Sequence, residues 1–186
     1  QRILARVKEK ARTEQRVSSV MVFEPQPLEW FKPDAAPPRI MSLRDKLTAL
    51  RQHGVERVLC ARFNKEFQRL SAGEFVRQVL VQGLNVRHLV VGDDFRFGSG
   101  REGDFEYLRK AGETYGFTVE DTPTCLYEGE RVSSTRVREA LAHGRLQEAE
   151  ALLGHPYFIS GRVHHGDKIG RTLGVPTANL VLPHLR

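Results

Sequence analysis

Short apolar runs alternate with amphipathic helical stretches through the first two thirds of this chain, and that alternation constrains its fold more than any other feature. Residues 3–16 place Ile3, Leu4, Val7 and Ala11 at helical spacing between charged residues. A first strand is expected ahead of that helix. Ser19-Val20-Met21-Val22-Phe23 reads as a buried strand that stops at Glu24-Pro25-Gln26-Pro27, where proline cannot continue a ladder. Ser42 reads as the N-cap of a helix with Leu43, Leu47 and Leu50 on one face and Gly54 at its end. After the strand Arg57–Ala61, the capping box Ser71-Ala72-Gly73-Glu74 opens a helix with Phe75, Val79 and Leu80 inward, ending near Gly83. The strand His88–Val91, a helix carrying Phe105, Leu108 and Ala111 up to Gly116, and the strand Phe117–Val119 complete the series. Repeated alternation of this kind predicts an α/β fold with a parallel sheet covered by helices on both faces.

In such sheets ligands bind beyond the carboxyl ends of the strands. The Glu24 loop and the loop after Val91 both occupy such ends. The second of these, Gly92-Asp93-Asp94-Phe95-Arg96-Phe97-Gly98-Ser99-Gly100-Arg101-Glu102-Gly103-Asp104, combines glycines that allow close backbone approach with flat aromatic faces and cationic forks. That set suits an aromatic ring carrying phosphate. Carboxylates at Asp93, Asp94 and Asp104 suit a sugar, an amino group or Mg2+. The plain structural reading is a glycine-rich turn with a solvated charged face.

Ser133-Ser134-Thr135-Arg136 opens a further helix through Ala140 and Leu141. Hydroxyls and free N–H groups at a helix start make an anion site, and Arg136 adds a fork for phosphate oxygens, although a Ser-Ser-Thr run is also simply a good N-cap. Composition changes after Gly154, where the chain becomes alternating and glycine-punctuated from Tyr157, as in an antiparallel barrel strand. A domain boundary is expected there, dividing residues 1–154 from 155–186. The segment from Gly161 to Asn179 is dense in glycine, basic and small polar residues. Thr177 and Asn179 lie two apart, so an extended backbone points both to one face, toward Mg2+ and phosphate oxygens.

The composition closes off other classes. Hydrophobic residues at 40% and charged residues at 28% describe an ordinary globular chain. No apolar run approaches the roughly 20 residues that span a bilayer, and no secretion signal opens the sequence. Cys60 and Cys125 have no metal-ligand spacing and read as buried free thiols, consistent with a reducing cytoplasm. The formal charge of +6 is spread along the chain rather than gathered into a stripe, which argues against nucleic acid and suits small phosphorylated ligands. Nothing marks an obligatory protein partner or a membrane surface.

Four stretches, Phe23-Glu24-Pro25-Gln26-Pro27, Val91–Gly98 with Arg101, Gly103 and Asp104, Ser133–Arg136, and Gly161–Asn179, together resemble the bacterial bifunctional riboflavin kinase/FMN adenylyltransferases, also called FAD synthetases. The resemblance covers nearly the whole chain and keeps the order of the family's motifs. It implies a Rossmann-like adenylyltransferase domain of the nucleotidylyltransferase superfamily over residues 1–154, followed over 155–186 by the start of a flavokinase β-barrel. It implies ATP, FMN and riboflavin as substrates with Mg2+ as cofactor. Ser133, Ser134, Thr135 and Arg136 would hold the ATP phosphates of the first reaction. Gly92, Asp93, Asp94, Phe95, Phe97, Gly98, Arg101 and Asp104 would form a flavin or nucleotide loop. In the kinase part, Gly161, His165, Gly166, Gly170, Arg171, Thr172 and Gly174 would lie over the nucleotide, with Thr177 and Asn179 organising Mg2+.

Two departures qualify that implication. The superfamily's His-x-Gly-His signature would lie immediately before residue 1, and the kinase carboxylate after residue 186, so this stretch of polypeptide is expected to turn over poorly on its own. His164 stands where an apolar residue is more usual and reads as an exposed, neutral change. The competing readings are another nucleotidylyltransferase of the same superfamily, against which the Pro-Thr-Ala-Asn segment argues, and a non-catalytic basic nucleic-acid-binding module.

Overall fold

The computed structural model describes residues 2–167 and 169–181. The chain divides into two compact units. The first comprises residues 1–35 and 49–125, and the second residues 36–48 and 126–186.

The first unit follows the predicted alternation closely. Helix α1 (Arg2–Thr13) leads to strand β1 (Ser19–Glu24), the short helix α2 (Pro27–Phe31) follows, and strand β2 (Arg57–Arg62) succeeds helix α3 (Leu43–Gln52), of which only residues 49–52 belong to this unit. Ser71 caps helix α4 (Ala72–Glu74) with the reciprocal pair the sequence predicts: the Glu74 N–H donates to Ser71 Oγ at 3.2 Å, and the Ser71 N–H donates to the Glu74 carboxylate at 2.9 Å. The helix then continues over Phe75–Gly83 in a π winding, with the Leu84 N–H reaching back five residues to the Val79 carbonyl at 2.9 Å. Apolar spacing does not anticipate that widening. Strand β3 (His88–Gly92), helix α5 (Phe105–Tyr115) and strand β4 (Thr118–Thr122) close the unit.

The strands pair in parallel, as expected for an α/β chain. β1 pairs with β2, Ser19 opposite Arg57, and β3 pairs with β4, His88 opposite Thr118. Among the described residues these are two separate two-stranded ladders rather than one continuous sheet. The core of the unit joins the π segment to β3 and α5 through Phe75, Val76, Leu80, Val91, Phe97, Leu108 and Phe117. An aromatic series carries it to β1 and β2, with Phe23, Phe63 and Phe67 packed edge-on or tilted at 5.3–5.7 Å. Helix α1 is tied down electrostatically: Arg6 Nε donates to the Glu120 carboxylate of β4 at 2.5 Å, and His88 Nε2 lies 3.4 Å from the same carboxylate. The bond from Arg6 holds the Glu120 carboxyl below the usual carboxylate range.

In the second unit a tight hairpin joins β5 (Leu126–Tyr127) to β6 (Glu130–Arg131) through Glu128 and Gly129, both at positive φ, which matches the twist of the strands. Helices α6 (Ser134–Ala142) and α7 (Leu146–Leu153) pack through Val137, Ala140, Ala149 and Leu152, all buried. Beyond Gly154, strand β7 (Arg162–His164) pairs antiparallel with β8 (Asn179–Val181), and the helical turn α8 (Ile169–Thr172) lies in the connection between them. The expected strand from Tyr157 begins only at Arg162, because residues 157–161 pair with nothing described. No closed barrel is present among the described residues, and residues 182–186 of the expected barrel region lie outside them.

One expectation is corrected. Both cysteines are free, but both are exposed rather than buried. Cys60 lies on β2, which has a ladder partner on one side only among the described residues. Cys125 follows β4 in a loop.

Asp45 is buried near the start of α3. Burial raises its pKa, but hydrogen bonds from the Ser160 and Ser42 hydroxyls outweigh that and hold the carboxyl below its usual value. A depressed folded pKa adds stability above the unfolded value of about 4, and that stability is lost as pH falls through the folded value. Asp45→Asn is therefore expected to lower the urea midpoint at pH 7 and to change it much less near pH 2. In the first unit Leu108, fully buried at 0% exposure, is expected to lose about 2–5 kcal/mol on replacement by Ala, measured by urea denaturation.

Candidate functional site

The loop after β3 is held by its own hydrogen bonds. The Phe95 N–H donates to the Gly92 carbonyl at 3.1 Å, and Phe97 and Gly103 exchange backbone hydrogen bonds at 3.1 and 3.0 Å. Asp104 caps α5, its Oδ1 accepting from the Tyr107 N–H at 2.8 Å, while its other oxygen lies 3.8 Å from the Arg96 guanidinium. The Thr124 hydroxyl donates to Asp93 from the stretch following β4.

Two glycines of this loop, Gly98 and Gly103, serve the protein interior. A Cβ on Gly98 would lie 2.7 Å from the Ala72 nitrogen, and one on Gly103 would lie 2.5 Å from the Phe97 ring. Gly98 also has φ +77°, in the left-handed region. The Ser99 N–H donates to the Leu70 carbonyl at 2.7 Å, and the Glu102 carboxylate accepts from the Ala72 N–H at 2.9 Å, so the loop is fastened to the start of α4 from both sides. Phe97 is buried at 6% exposure, with Phe95 stacked on it at 5.6 Å and Phe75 tilted against it at 5.1 Å. Asp93, Asp94, Arg96 and Arg101 are the exposed charged side chains of the segment between Gly92 and Arg101. The outward chemistry of the loop is thus carboxylate and guanidinium, with Phe95 half-buried behind it.

In the second unit Ser133 is the N-cap of α6, its hydroxyl accepting from the Arg136 N–H at 3.3 Å. Ser134 and Thr135 are exposed in the first turn, where backbone N–H groups have no partner within the helix. The Arg136 side chain turns back: Nη1 donates to the carbonyls of Tyr127 and Glu130 at 3.2 and 3.3 Å. Its Nε and Nη2 lie 3.4 and 3.8 Å from the carboxylates of Glu130 and Glu148. The guanidinium therefore locks the β5–β6 hairpin and α7 to the start of α6, with 17% of the side chain still exposed.

The segment after Gly154 places most of its predicted residues in the connection between β7 and β8. His164 is exposed and stands opposite Asn179 in the β7–β8 ladder. A Cβ on Gly166 would fall 2.3 Å from the Asn179 side-chain nitrogen, and one on Gly170 would fall 3.2 Å from the Thr177 hydroxyl. Thr177 and Asn179 thus lie against two of the glycines; His165, Arg171, Thr172 and Gly174 lie in the same connection, and Gly161 precedes β7. Among the described residues no group of three or more His, Cys, Asp or Glu side chains is arranged to hold a metal. The oxygens of Thr177 and Asn179 are hard, neutral donors, which fit Mg2+ when substrate phosphates supply the remaining ligands.

Sequence reading missed the partners that give these residues their shape. Thr124, Glu102, Tyr127, Glu130 and Glu148 each belong to a constellation through a contact distant in sequence or carried by the backbone. No local pattern marks them.

Residues 1–136 match the family model described as FAD synthetase, and residues 153–185 match the one described as riboflavin kinase. The chain belongs to the FAD synthetase family. It is 57% identical over 163 residues to a bifunctional riboflavin kinase/FMN adenylyltransferase of Escherichia coli K12, covering 88% of this chain and 52% of that protein. It is 52% identical over all 186 residues to the protein of the same description from Pseudomonas fluorescens, of which it covers 60%. The chain therefore spans about 52–60% of the length of those curated relatives. A crystal structure described as a macrolide-efflux protein from Streptococcus pneumoniae superposes with a TM-score of 0.80 at 31% identity, over 99% of this chain and 60% of that one. That description belongs to the other protein; among the described residues here, no helix is long and apolar enough to cross a membrane.

The two kinds of glycine in the β3 loop are separable by mutation. Gly100 also has positive φ but nothing within 4 Å of an added Cβ. Gly100→Ala is expected to cost about 1–2 kcal/mol from the left-handed backbone alone. Gly98→Ala is expected to cost roughly 1–3 kcal/mol beyond that, from overlap with Ala72. Urea denaturation of the ligand-free protein measures both, and equal losses would contradict the packing role of Gly98.

Proposed function

We propose that residues 1–154 carry FMN adenylyltransferase chemistry and that the segment from residue 155 belongs to a riboflavin kinase, so that the protein serves FAD biosynthesis. The observation behind this reading is the succession of the FAD synthetase and riboflavin kinase models along one chain. The left-handed turn at Gly154, φ +75° after α7, supports a division there.

In the first reaction a phosphate oxygen of FMN attacks the α-phosphorus of ATP and the bond to the β-phosphate breaks, giving FAD and pyrophosphate. No covalent enzyme intermediate is needed, so the protein's work is alignment and charge stabilisation. The exposed first turn of α6 suits the ATP phosphates: Ser134 and Thr135 bring hydroxyls and unpartnered N–H groups. Arg136 adds positive charge and keeps that turn in place. The outward groups of the β3 loop, Asp93, Asp94 and Arg101, suit the flavin or its nucleotide partner, while Phe97, Gly98 and Asp104 give the loop its shape. In the second reaction the ribityl hydroxyl of riboflavin gives up its proton and attacks the γ-phosphorus of ATP, giving FMN and ADP. Thr177 and Asn179 would hold Mg2+, which neutralises phosphate charge, and the loop from Gly161 to Gly174 would cover the nucleotide. Exposed, unbridged Cys60 and Cys125 suit a reducing compartment, and we place the protein in the cytoplasm.

Titrating the 186-residue chain into FMN is expected to quench flavin fluorescence saturably. In isothermal titration, Thr135→Val should weaken Mg-ATP binding about tenfold, the scale of one hydrogen bond to a charged group, without altering flavin affinity. A folded protein that binds neither FMN, FAD nor Mg-ATP would overturn the reading.

A further inference from the structure

One face of β4 carries on past the end of its ladder and reaches the loop after β3. Thr118, Glu120, Thr122 and Thr124 recur at period two, the spacing that sets side chains on one side of an extended chain. Each bonds outside its own strand. Thr118 Oγ1 lies 2.6 Å from His88 Nδ1, and Glu120 accepts from Arg6. The Thr122 hydroxyl donates to the Val91 carbonyl at 3.2 Å, and the Thr124 hydroxyl donates to the Asp93 carboxylate. The backbone ladder itself stops at Gly92 opposite Thr122, where Pro123 brings no N–H to extend it. The bond from Thr124 therefore continues the pairing of β3 and β4 through side chains, two residues beyond the Thr122 bond on both segments.

That bond falls on the less fastened half of the loop. From Phe97 onward the loop is tied to Gly103, to the Leu70 carbonyl and to the Ala72 N–H. The near half, which carries Asp93, Asp94 and Phe95, is held by the bond from the Phe95 N–H to the Gly92 carbonyl and by Thr124. Arg96, where the two halves meet, reaches Asp104 only at 3.8 Å. Asp93 is exposed and Thr124 half-buried, so the hydroxyl is the better ordered partner of the two. Pro123 stiffens its approach, since proline fixes its own φ and keeps the residue before it extended.

We propose that Thr124 is a positioning residue for the flavin nucleotide: its hydroxyl fixes the Asp93 carboxylate, and with it the near half of the β3 loop, in the arrangement that receives the ligand. The inference rests on the proposed function, which gives this loop the flavin side. A hydroxyl suits the task better than a cation. It donates one hydrogen bond and leaves the carboxylate its negative charge and further lone pairs, which a sugar hydroxyl of the ligand can use as acceptors. A lysine or arginine in its place would orient Asp93 equally well but would neutralise it. Ordering the loop before the ligand arrives also lowers the entropy lost on binding.

The test compares Thr124→Val, which keeps the shape and removes the donor, with Thr124→Ser, which keeps the donor, both in the 186-residue chain. Thr124→Val is expected to speed amide exchange in residues 93–96 of the ligand-free protein and to weaken FMN binding about tenfold, the scale of one hydrogen bond to a charged group. Mg-ATP affinity should stay unchanged, and Thr124→Ser should restore both the exchange rates and the FMN affinity. Thr114→Val is the control, because that exposed hydroxyl bonds only the Lys110 carbonyl of its own helix; it should leave every readout unaltered. Unchanged FMN affinity in Thr124→Val would overturn the proposal whatever the exchange shows. Equal losses for FMN and Mg-ATP, no rescue by serine, or the same losses in Thr114→Val would overturn it too, by reducing Thr124 to a general structural role. A folded wild-type chain that does not bind FMN at all would instead remove the flavin reading itself, and this inference with it.

Discussion

The packing of Phe97 against Phe75 is the contact on which the first unit and its candidate ligand loop both depend. Phe75 opens the π segment and sits in a continuous aromatic series with Phe67, Phe63 and Phe23, which spans β1 and β2. Phe97 extends that series into the loop after β3 and meets Tyr107 of α5 edge-on at 5.8 Å. An aromatic pair contributes about 0.5–1.5 kcal/mol beyond its area burial, so the series is a set of orientation constraints as well as a hydrophobic core. The loop keeps its shape because its most apolar residue is already committed inward, leaving carboxylates and guanidinium groups outside.

Most of the element order was legible because its signals are local. Ser71 with Glu74 and Gly116 after α5 are caps whose chemistry lies within four residues, and the structure uses both as such; Asp104, read only as a loop carboxylate, proves to be the N-cap of α5. Parallel pairing was legible too, since strands joined through helices cannot form tight hairpins. Which strand each one pairs with was not, because ladder partners lie thirty or more residues apart. The π winding of Phe75–Gly83 escaped for a related reason: an apolar stripe reports which side is buried and is nearly blind to one extra residue per turn. Cys60 was misread because residue type gave it a burial that its place on a singly paired strand does not provide.

The candidate sites were legible as places and not as roles. The run from Gly92 to Asp104 stands out for its glycines, yet Gly98 and Gly103 are explained by the Ala72 backbone and the Phe97 ring rather than by a ligand. Ser133 is the N-cap that its plain reading predicts, and the novelty lies in Arg136, whose side chain spans a hairpin and a second helix. Such partners lie up to about thirty residues away, as with Glu102 and Ala72, or act through carbonyls that every residue possesses. A sequence pattern carries no record of either.

Arg136 shows how one residue can hold a local shape and still keep donors for the ligand proposed above. Its two carbonyl contacts use a single nitrogen, Nη1, while Nε and Nη2 face carboxylates at 3.4 and 3.8 Å, longer than a good charge-assisted hydrogen bond. Glu130 is 74% exposed on its side chain, so its attraction for Arg136 is heavily screened by water. On the proposed reading, a phosphate at the first turn of α6 would compete with those two long ion pairs and leave the carbonyl bonds intact. The hairpin clamp and an anion contact then draw on different donors of the same planar fork, which a lysine, with one compact charge, cannot divide in that way.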